Sequence, residues 1–243
     1  MVRKEIDRIM MLLNNQTAKK IFAVKTTNLA LEKVINGEPK VFEEVTIDFK
    51  AEAREIAQYI RNDDKIVYNL IDIGLSDIGL LHHSINVGLL STALGVKEGY
   101  TNSDLKTLAI GALLHDTGKR FAPREILDKP GKLTAEEYEL IKTHSAIGYK
   151  LLTDVFGFDE IIARISVEHH ERVDGSGYPN GLVGDKIHVF SRICAIADVY
   201  SALTTDRVYR KAWPKDDAIK HIYKNAGTLF DDRLARSFVE IAR

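Results

Sequence analysis

The chain has a single cysteine, Cys194, among its 243 residues, which excludes an intrachain disulfide framework and suits a reducing cytoplasm. No apolar run approaches the ~20 residues of a membrane span. The opening residues Met1-Val2-Arg3-Lys4-Glu5-Ile6-Asp7 also lack the apolar region of a secretory signal. Neither charge sign dominates: 34 Lys and Arg face 35 Asp and Glu, for a net charge of −1. Bulk electrostatic capture of duplex nucleic acid or of an anionic membrane therefore has no basis here. Internal repeats and low-complexity tracts are absent. A hydrophobic content of 45% is ordinary for a globular protein, and the length supports one substantial core, or a core with an appendage.

Helical periodicity organises most of the chain. Residues 1–35 read as helix, with Ile6, Ile9, Met10 and Leu13 at helical spacing, until Gly37 and Pro39 break the pattern. Val41 to Phe49 alternates, Val45, Ile47 and Phe49 against Thr46 and Asp48, and predicts a short strand or hairpin arm. Residues 1–50 are thus expected to form a small α+β appendage, and 51–243 a mainly α, compact helical domain. Within it, helices are expected over Ala51–Ile73, Leu80–Leu94, from a Ser103 cap to His115, from Thr134 through Leu152, and over Asp159–His170, Phe190–Leu203, Pro214–Ala226 and Asp231–Ile241. Thr134 and Glu137 carry the spacing of a capping box.

What is abundant is a set of lone-pair donors in apolar surroundings. His169-His170-Glu171 opens a glycine-punctuated turn, Asp174-Gly175-Ser176-Gly177-Tyr178-Pro179. Adjacent imidazoles need partners for their ring nitrogens. His115-Asp116-Thr117-Gly118-Lys119 closes an apolar helix; its carboxylate has a second oxygen free to bridge another ion, and Lys119 lies one turn on, placed to reach a phosphate. Asp198 sits in Ile193-Cys194-Ala195-Ile196-Ala197-Asp198-Val199, where a buried carboxylate demands a cation or donors. Taken alone, His144 reads as a surface or capping histidine and His83 as a satisfied core residue. Together these form a nitrogen and oxygen ligand list without cysteine, which suits two or more divalent first-row ions better than structural zinc. Paired ions about 3.5–4 Å apart clamp the attacking and leaving oxygens in phosphoryl hydrolysis.

These residues resemble the HD-GYP family of the HD phosphohydrolase superfamily. His115-Asp116 matches the HD pair and Gly177-Tyr178-Pro179 the GYP triplet. The flanking matches are His83-Ser84-Ile85-Asn86-Val87, Leu127 through Thr134, Ala197 through Thr204, and Asp206 through Arg210. The resemblance runs from about His83 to Trp213. It implies a helical fold, a centre of iron or manganese, and hydrolysis of cyclic di-GMP. Carried over by position, His83, His115, Asp116 and Asp198 hold one metal, and Asp116, His144, His169 and His170 the other. Lys119 contacts the scissile phosphate; Tyr178, Arg207 and Arg210 face the nucleotide, although ordinary ion pairing is an equal reading of the arginines. Gly79 stands where some members have a metal-binding Glu, so two ions are expected rather than three. Asp77, nearby, is read as a helix cap or a substrate contact. Arg120-Phe121 departs from the smaller apolar residues usual after the HD pair.

The mechanism expected is phosphodiester hydrolysis by a hydroxide bridging the two ions, giving linear pGpG and then GMP. Two alternatives stand beside it. One is a catalytically weak signalling module that binds a cyclic dinucleotide, or a protein partner through the N-terminal region. The other is hydrolysis of a mixed cyclic GMP-AMP. His82, His188 and His221 match no motif position and read as surface or structural residues, and Cys194 as small buried packing.

Overall fold

The computed structural model describes residues 25–206 and 211–243, and in them the chain is an assembly of helices. Residues 25–36 are helical. The remaining helices of nine residues or more are α1 (Lys50–Arg61), α2 (Asp64–Ser76), α3 (Ile78–Lys97), α4 (Asn102–Leu114), α5 (Ala135–Lys150), α6 (Glu160–Glu168), α7 (Val189–Thr204), α8 (Lys215–Lys224) and α9 (Asp232–Ala242). The stripe from Ile6 to Leu13 lies outside the described residues.

Several helix starts follow side-chain capping. Asp63 accepts from the amides of Lys65 and Ile66 and starts α2, which divides the single helix expected over 51–73. Thr101, not Ser103, caps α4, in a capping box with Asp104. The box of Thr134 and Glu137 forms as its spacing predicts and starts α5.

The strand expected over 41–49 is corrected. Val41–Glu44 forms a helical turn and the rest is irregular. Pro39 starts this turn, its carbonyl accepting from Phe42 at 3.0 Å. Val41, Phe42, Val45 and Phe49 are all buried, so the apolar residues are satisfied without a pleated sheet. The backbone of Thr46 donates to the carbonyl of Ile241 in α9 at 2.7 Å, and Lys215 of α8 reaches the carbonyl of Glu44 at 2.9 Å.

Helix α3 forms the axis, buried along most of its length, and packs against α4, α7, α2 and α9. Helix α4 continues the stack to α6, and α6 to α5. One hydrophobic cluster runs from Leu31 to Ala242, with Tyr200, Phe49, Phe230 and Phe238 its largest fully buried side chains. Helices α3, α4, α5, α6 and α7 therefore converge on one region. No helix among the described residues is long and apolar enough to cross a membrane.

Candidate metal centre

Each of those five helices delivers a polar side chain to the same buried point. His83 comes from the second turn of α3, His144 from α5 and Asp198 from α7. His115 ends α4, His169 ends α6, and Asp116 and His170 follow them directly. After Asp116 the chain tightens into a 3₁₀ turn over Thr117–Phe121 that packs on α5. Gly118 permits the approach: a Cβ there would collide with the carbonyl oxygen of His144 and sit 2.8 Å from the amide of Gly148.

The seven side chains form two groups, Asp116 with His144, His169 and His170, and His83 with His115 and Asp198; within each group the ligand atoms lie within 4.8 Å of one another. Asp116 joins the groups, its Oδ2 lying 3.2 Å from Nε2 of His115 and its Oδ1 3.3 Å from Nε2 of His144 and 3.6 Å from that of His169. On the other side, Oδ1 of Asp198 lies 3.0 Å from Nε2 of His83 and 3.9 Å from that of His115.

The outer nitrogens show which atom of each ring faces inward. Nδ1 of His115 donates to the carbonyl of Ala112 at 2.6 Å, that of His144 to Ile141 at 2.6 Å, and that of His169 to Ser166 at 2.8 Å. A carbonyl only accepts, so each Nδ1 carries a hydrogen and each ring turns its Nε2 inward, as second-shell bonds do around metals. Nδ1 of His83 is also engaged, 2.9 Å from the hydroxyl of Ser201, a group that can donate or accept. The inward atoms meet acceptor to acceptor: Nε2 of His144 and Nε2 of His169 are 3.4 Å apart, both facing a carboxylate oxygen. Oδ1 of Asp116 and Nε2 of His115 have no hydrogen-bond partner although fully buried. Buried orphans cost about 1–3 kcal/mol each, and a divalent cation among them removes that cost. The donor set therefore fits divalent metal ions.

Burial depresses the imidazoles of His83 and His170, and that of His169 to about 4, keeping them in the neutral, metal-binding form. His115 differs: burial alone would lower it, but the carboxylate of Asp116 outweighs burial and raises it. Burial would raise both carboxylates, yet His115 and Lys119 hold Asp116 well below the usual range, and His83 does the same for Asp198. Lys119 donates to Oδ2 of Asp116 at 2.5 Å from the rim, its side chain 18% exposed.

The Asp174–Pro179 turn folds over the rim. Tyr178 lies against His170, centroids 4.7 Å apart and rings inclined by 32°. Burial raises its phenol well above the usual value, leaving it a neutral hydrogen-bond donor. Gly177 is pressed onto the backbone of His170, Glu171 and Arg172, where a Cβ has no room. Glu171 holds the turn in place: it is buried, and its two oxygens accept from the amides of Asn180 at 2.7 Å and Leu182 at 2.9 Å. Sequence reasoning passed over this carboxylate, Ser201 and Ser166, whose hydroxyl donates to the carbonyl of His115 at 2.7 Å. The one available signal was Glu171's position directly after two histidines.

The expected outer residues divide. Asp77 is exposed and caps α3 through the amide of Gly79 at 2.6 Å. Arg207 and Arg210 lie outside the described residues. Of the residues read as bland, His82 is exposed, His188 caps α7 and the ring of His221 packs on Trp213. Arg120 pairs with Asp72 of α2, so the departure after the HD pair ties the 3₁₀ turn to a neighbouring helix.

The chain belongs to the HD domain family, whose model matches residues 65–234. Its Gly177-Tyr178-Pro179 turn beside the histidine pair is that of the HD-GYP type the sequence resembles. The chain is 44% identical over 147 residues to the cyclic di-GMP phosphodiesterase response regulator RpfG of Xanthomonas campestris pv. campestris, covering 60% of this chain and 38% of that protein. It is 46% identical over 128 residues to the 3′3′-cGAMP-specific phosphodiesterase 1 of Vibrio cholerae, covering 53% of this chain and 30% of that protein. It thus spans well under half the length of these curated relatives. Among solved structures, Bd1817 of Bdellovibrio bacteriovorus, described as an HDG"Y"P protein, superposes with a TM-score of 0.60 at 20% identity, over 99% of this chain and 80% of that one. That likeness concerns the fold.

Proposed function

We propose that this chain is a metal-dependent phosphodiesterase of cyclic dinucleotides, acting on cyclic di-GMP to give pGpG and then GMP. The observation that carries the reading is the pair of ligand groups sharing Asp116, with buried acceptors facing one another across it. His83, His115, Asp116 and Asp198 would hold one divalent ion, and Asp116, His144, His169 and His170 a second, with iron or manganese suited to this donor set. Such ions supply charge neutralisation at the phosphoryl oxygens and a water of lowered pKa.

The chain's own groups do the rest. Lys119 brings a fixed positive charge from the rim to the scissile phosphate, where charge grows as the bond to the ribose 3′ oxygen breaks. The backbone carbonyls behind His115, His144 and His169 keep the rings from rotating, so the site is organised in advance. Tyr178 faces the nucleotide beside His170, and Arg207 and Arg210 are assigned to its phosphate or guanine groups. The exposed carboxylate of Asp77 is assigned to the substrate side as well. The same proposal treats residues 1–50 as an appendage to the domain over 51–243, offering a surface to a protein partner, in a cytoplasmic protein.

The names of the relatives support both a cyclic di-GMP and a mixed cyclic GMP-AMP substrate. The test is anaerobic purification with metal analysis, followed by chromatography of products from each dinucleotide. Two ions per chain with pGpG formation is the expected result. Tight binding without product would replace catalysis by an effector role.

A further inference from the structure

Beside the metal centre, α5 and the Tyr178–Pro179 turn enclose a groove of about 360 Å³, within the range of small-molecule sites of ~300–1,000 Å³. Its walls include Glu139, Lys142, Tyr178 and Pro179. Tyr138 stands at its edge, 48% exposed, its ring 6.2 Å from that of Tyr178 and inclined by 80°. Nζ of Lys142 sits 5.4 Å from the Tyr138 centroid and 5.6 Å from that of Tyr178, and pairs with Glu139 at 2.6 Å. Tyr138 and Lys142 are four residues apart, so they rise from one face of α5. Tyr178 in turn lies against the metal-group residue His170.

We propose that this groove is a guanine-reading subsite, with Lys142 and Glu139 as its specificity-determining pair. The proposal rests on the cyclic-dinucleotide reading above and adds which base is read and by what. An aromatic ring next to an open groove offers a face to any base, since every base has a π-face. The charged pair makes the choice. Guanine presents O6 and N7 as acceptors, and an N1–H and an amino group as donors, along adjacent edges. An ammonium beside a carboxylate complements that order: Lys142 donates to O6 or N7, and Glu139 accepts from N1–H and the amino group. Adenine presents an amino donor where guanine has O6, so it would set a donor against the ammonium and a bare N1 against the carboxylate. Tyr178 lines the groove and lies against His170, so the base seat adjoins the metal-group residues. Cyclic di-GMP and mixed cyclic GMP-AMP can each supply that guanine, and cyclic di-AMP cannot.

The test titrates the metal-loaded full chain with 5′-GMP and 5′-AMP by calorimetry, alongside Lys142→Met and Glu139→Ala. Both side chains lie at the surface, 24% and 69% exposed, and circular dichroism verifies that the variants fold. GMP should bind about tenfold or more tighter than AMP, as a charge-assisted hydrogen bond implies, and each variant should bring that ratio towards one mainly by weakening GMP. Equal binding of the two nucleotides, binding of neither, or an unchanged ratio in both variants would overturn the subsite. Turnover assays on the same samples separate the two claims. A guanine preference that depends on Lys142 without any phosphodiester cleavage would remove the enzymatic reading and leave the subsite. Cleavage with an unchanged ratio would do the reverse.

Discussion

Nε2 of His144 and Nε2 of His169 face each other at 3.4 Å, each ring already donating its Nδ1 hydrogen to a backbone carbonyl. Two inward lone pairs beside a carboxylate oxygen repel one another unless a cation lies among them. Added Mn²⁺ should therefore stabilise the metal-free chain strongly, by about 2.7 kcal/mol at a hundred times the dissociation constant. Asp116→Ala should abolish the gain and the turnover together, because both groups share that residue. Thermal melts with and without metal measure it. An Asp116→Ala chain that still gains stability from Mn²⁺ would dismiss the shared-carboxylate arrangement.

Acid should act on the metal-free protein in a defined direction. His83, His169 and His170 have folded-state values below the ordinary imidazole value, His169 at about 4. Between about 4 and 6.5 the unfolded chain binds protons that the folded chain refuses, so stability falls as pH drops through that window. The depressed carboxylates Asp116 and Asp198 lose their contribution only at lower pH, through their own folded values. His115 is raised and opposes the trend in part. Melting temperatures in chelator should decline from pH 7 to pH 4.5, and decline less in His169→Gln. A flat profile would mean that these rings are not buried neutral.

Lys119 separates charge stabilisation from metal retention. Its ammonium touches Oδ2 of Asp116 but belongs to neither ligand group. Lys119→Met should leave metal content unchanged while kcat falls by about 10² or more, the usual cost of removing one preorganised charge donor. Elemental analysis and steady-state kinetics on one preparation decide it; loss of metal in step with activity would make Lys119 a structural partner of Asp116.

Part of the candidate ligand set stands out in the sequence because its residue types conflict with their surroundings, whereas His83 and His144 stand out only through the family resemblance. Asp198 in an apolar helix and the paired His169-His170 each pose a burial problem that a cation solves, and no folding detail is needed to see it. Long-range partners carry no such mark. Glu171 reads as an ordinary turn carboxylate until Asn180 and Leu182 come back to it. Lys142 reads as a solvated face of α5 until Tyr178 arrives from beyond residue 170. The alternation from Val41 to Phe49 misled for a different reason. Burial of Val41, Phe42, Val45 and Phe49 satisfies the apolar set in a helical turn and irregular chain, so period two is not proof of a sheet. The break at Asn62-Asp63 was hidden because both flanking helices carry one apolar rhythm, and only the cap at Asp63 divides them.

Glu171 should govern substrate binding rather than metal binding. Its buried carboxylate is satisfied by two amides of the segment that follows Pro179. Glu171→Ala strands both donors at a cost of about 1–3 kcal/mol each and releases the turn that carries Tyr178. KM should rise by about tenfold while metal content holds, and Glu171→Gln, which keeps one acceptor, should fall between. Equal kinetics in Glu171→Ala and the parent chain would mean that the turn is held by other contacts.

Gly118 offers the sharpest test of how the HD segment is seated. The 3₁₀ turn after Asp116 can lie on α5 only because no Cβ projects towards the carbonyl of His144. The obstacle is backbone, not the flexible end of a side chain, so it cannot step aside cheaply. Gly118→Ala should push the turn from α5, destabilise the chain by about 1–3 kcal/mol as overpacking does, and widen the gap between Asp116 and His144. Metal occupancy should fall with it, most in the group that contains both residues. Ala substituted at Gly131, where a Cβ meets nothing within 4 Å, is the control: it changes a glycine of positive φ without touching a ligand residue and should cost stability alone. If both variants retain full metal, the close seating of the turn on α5 is not what brings Asp116 to His144.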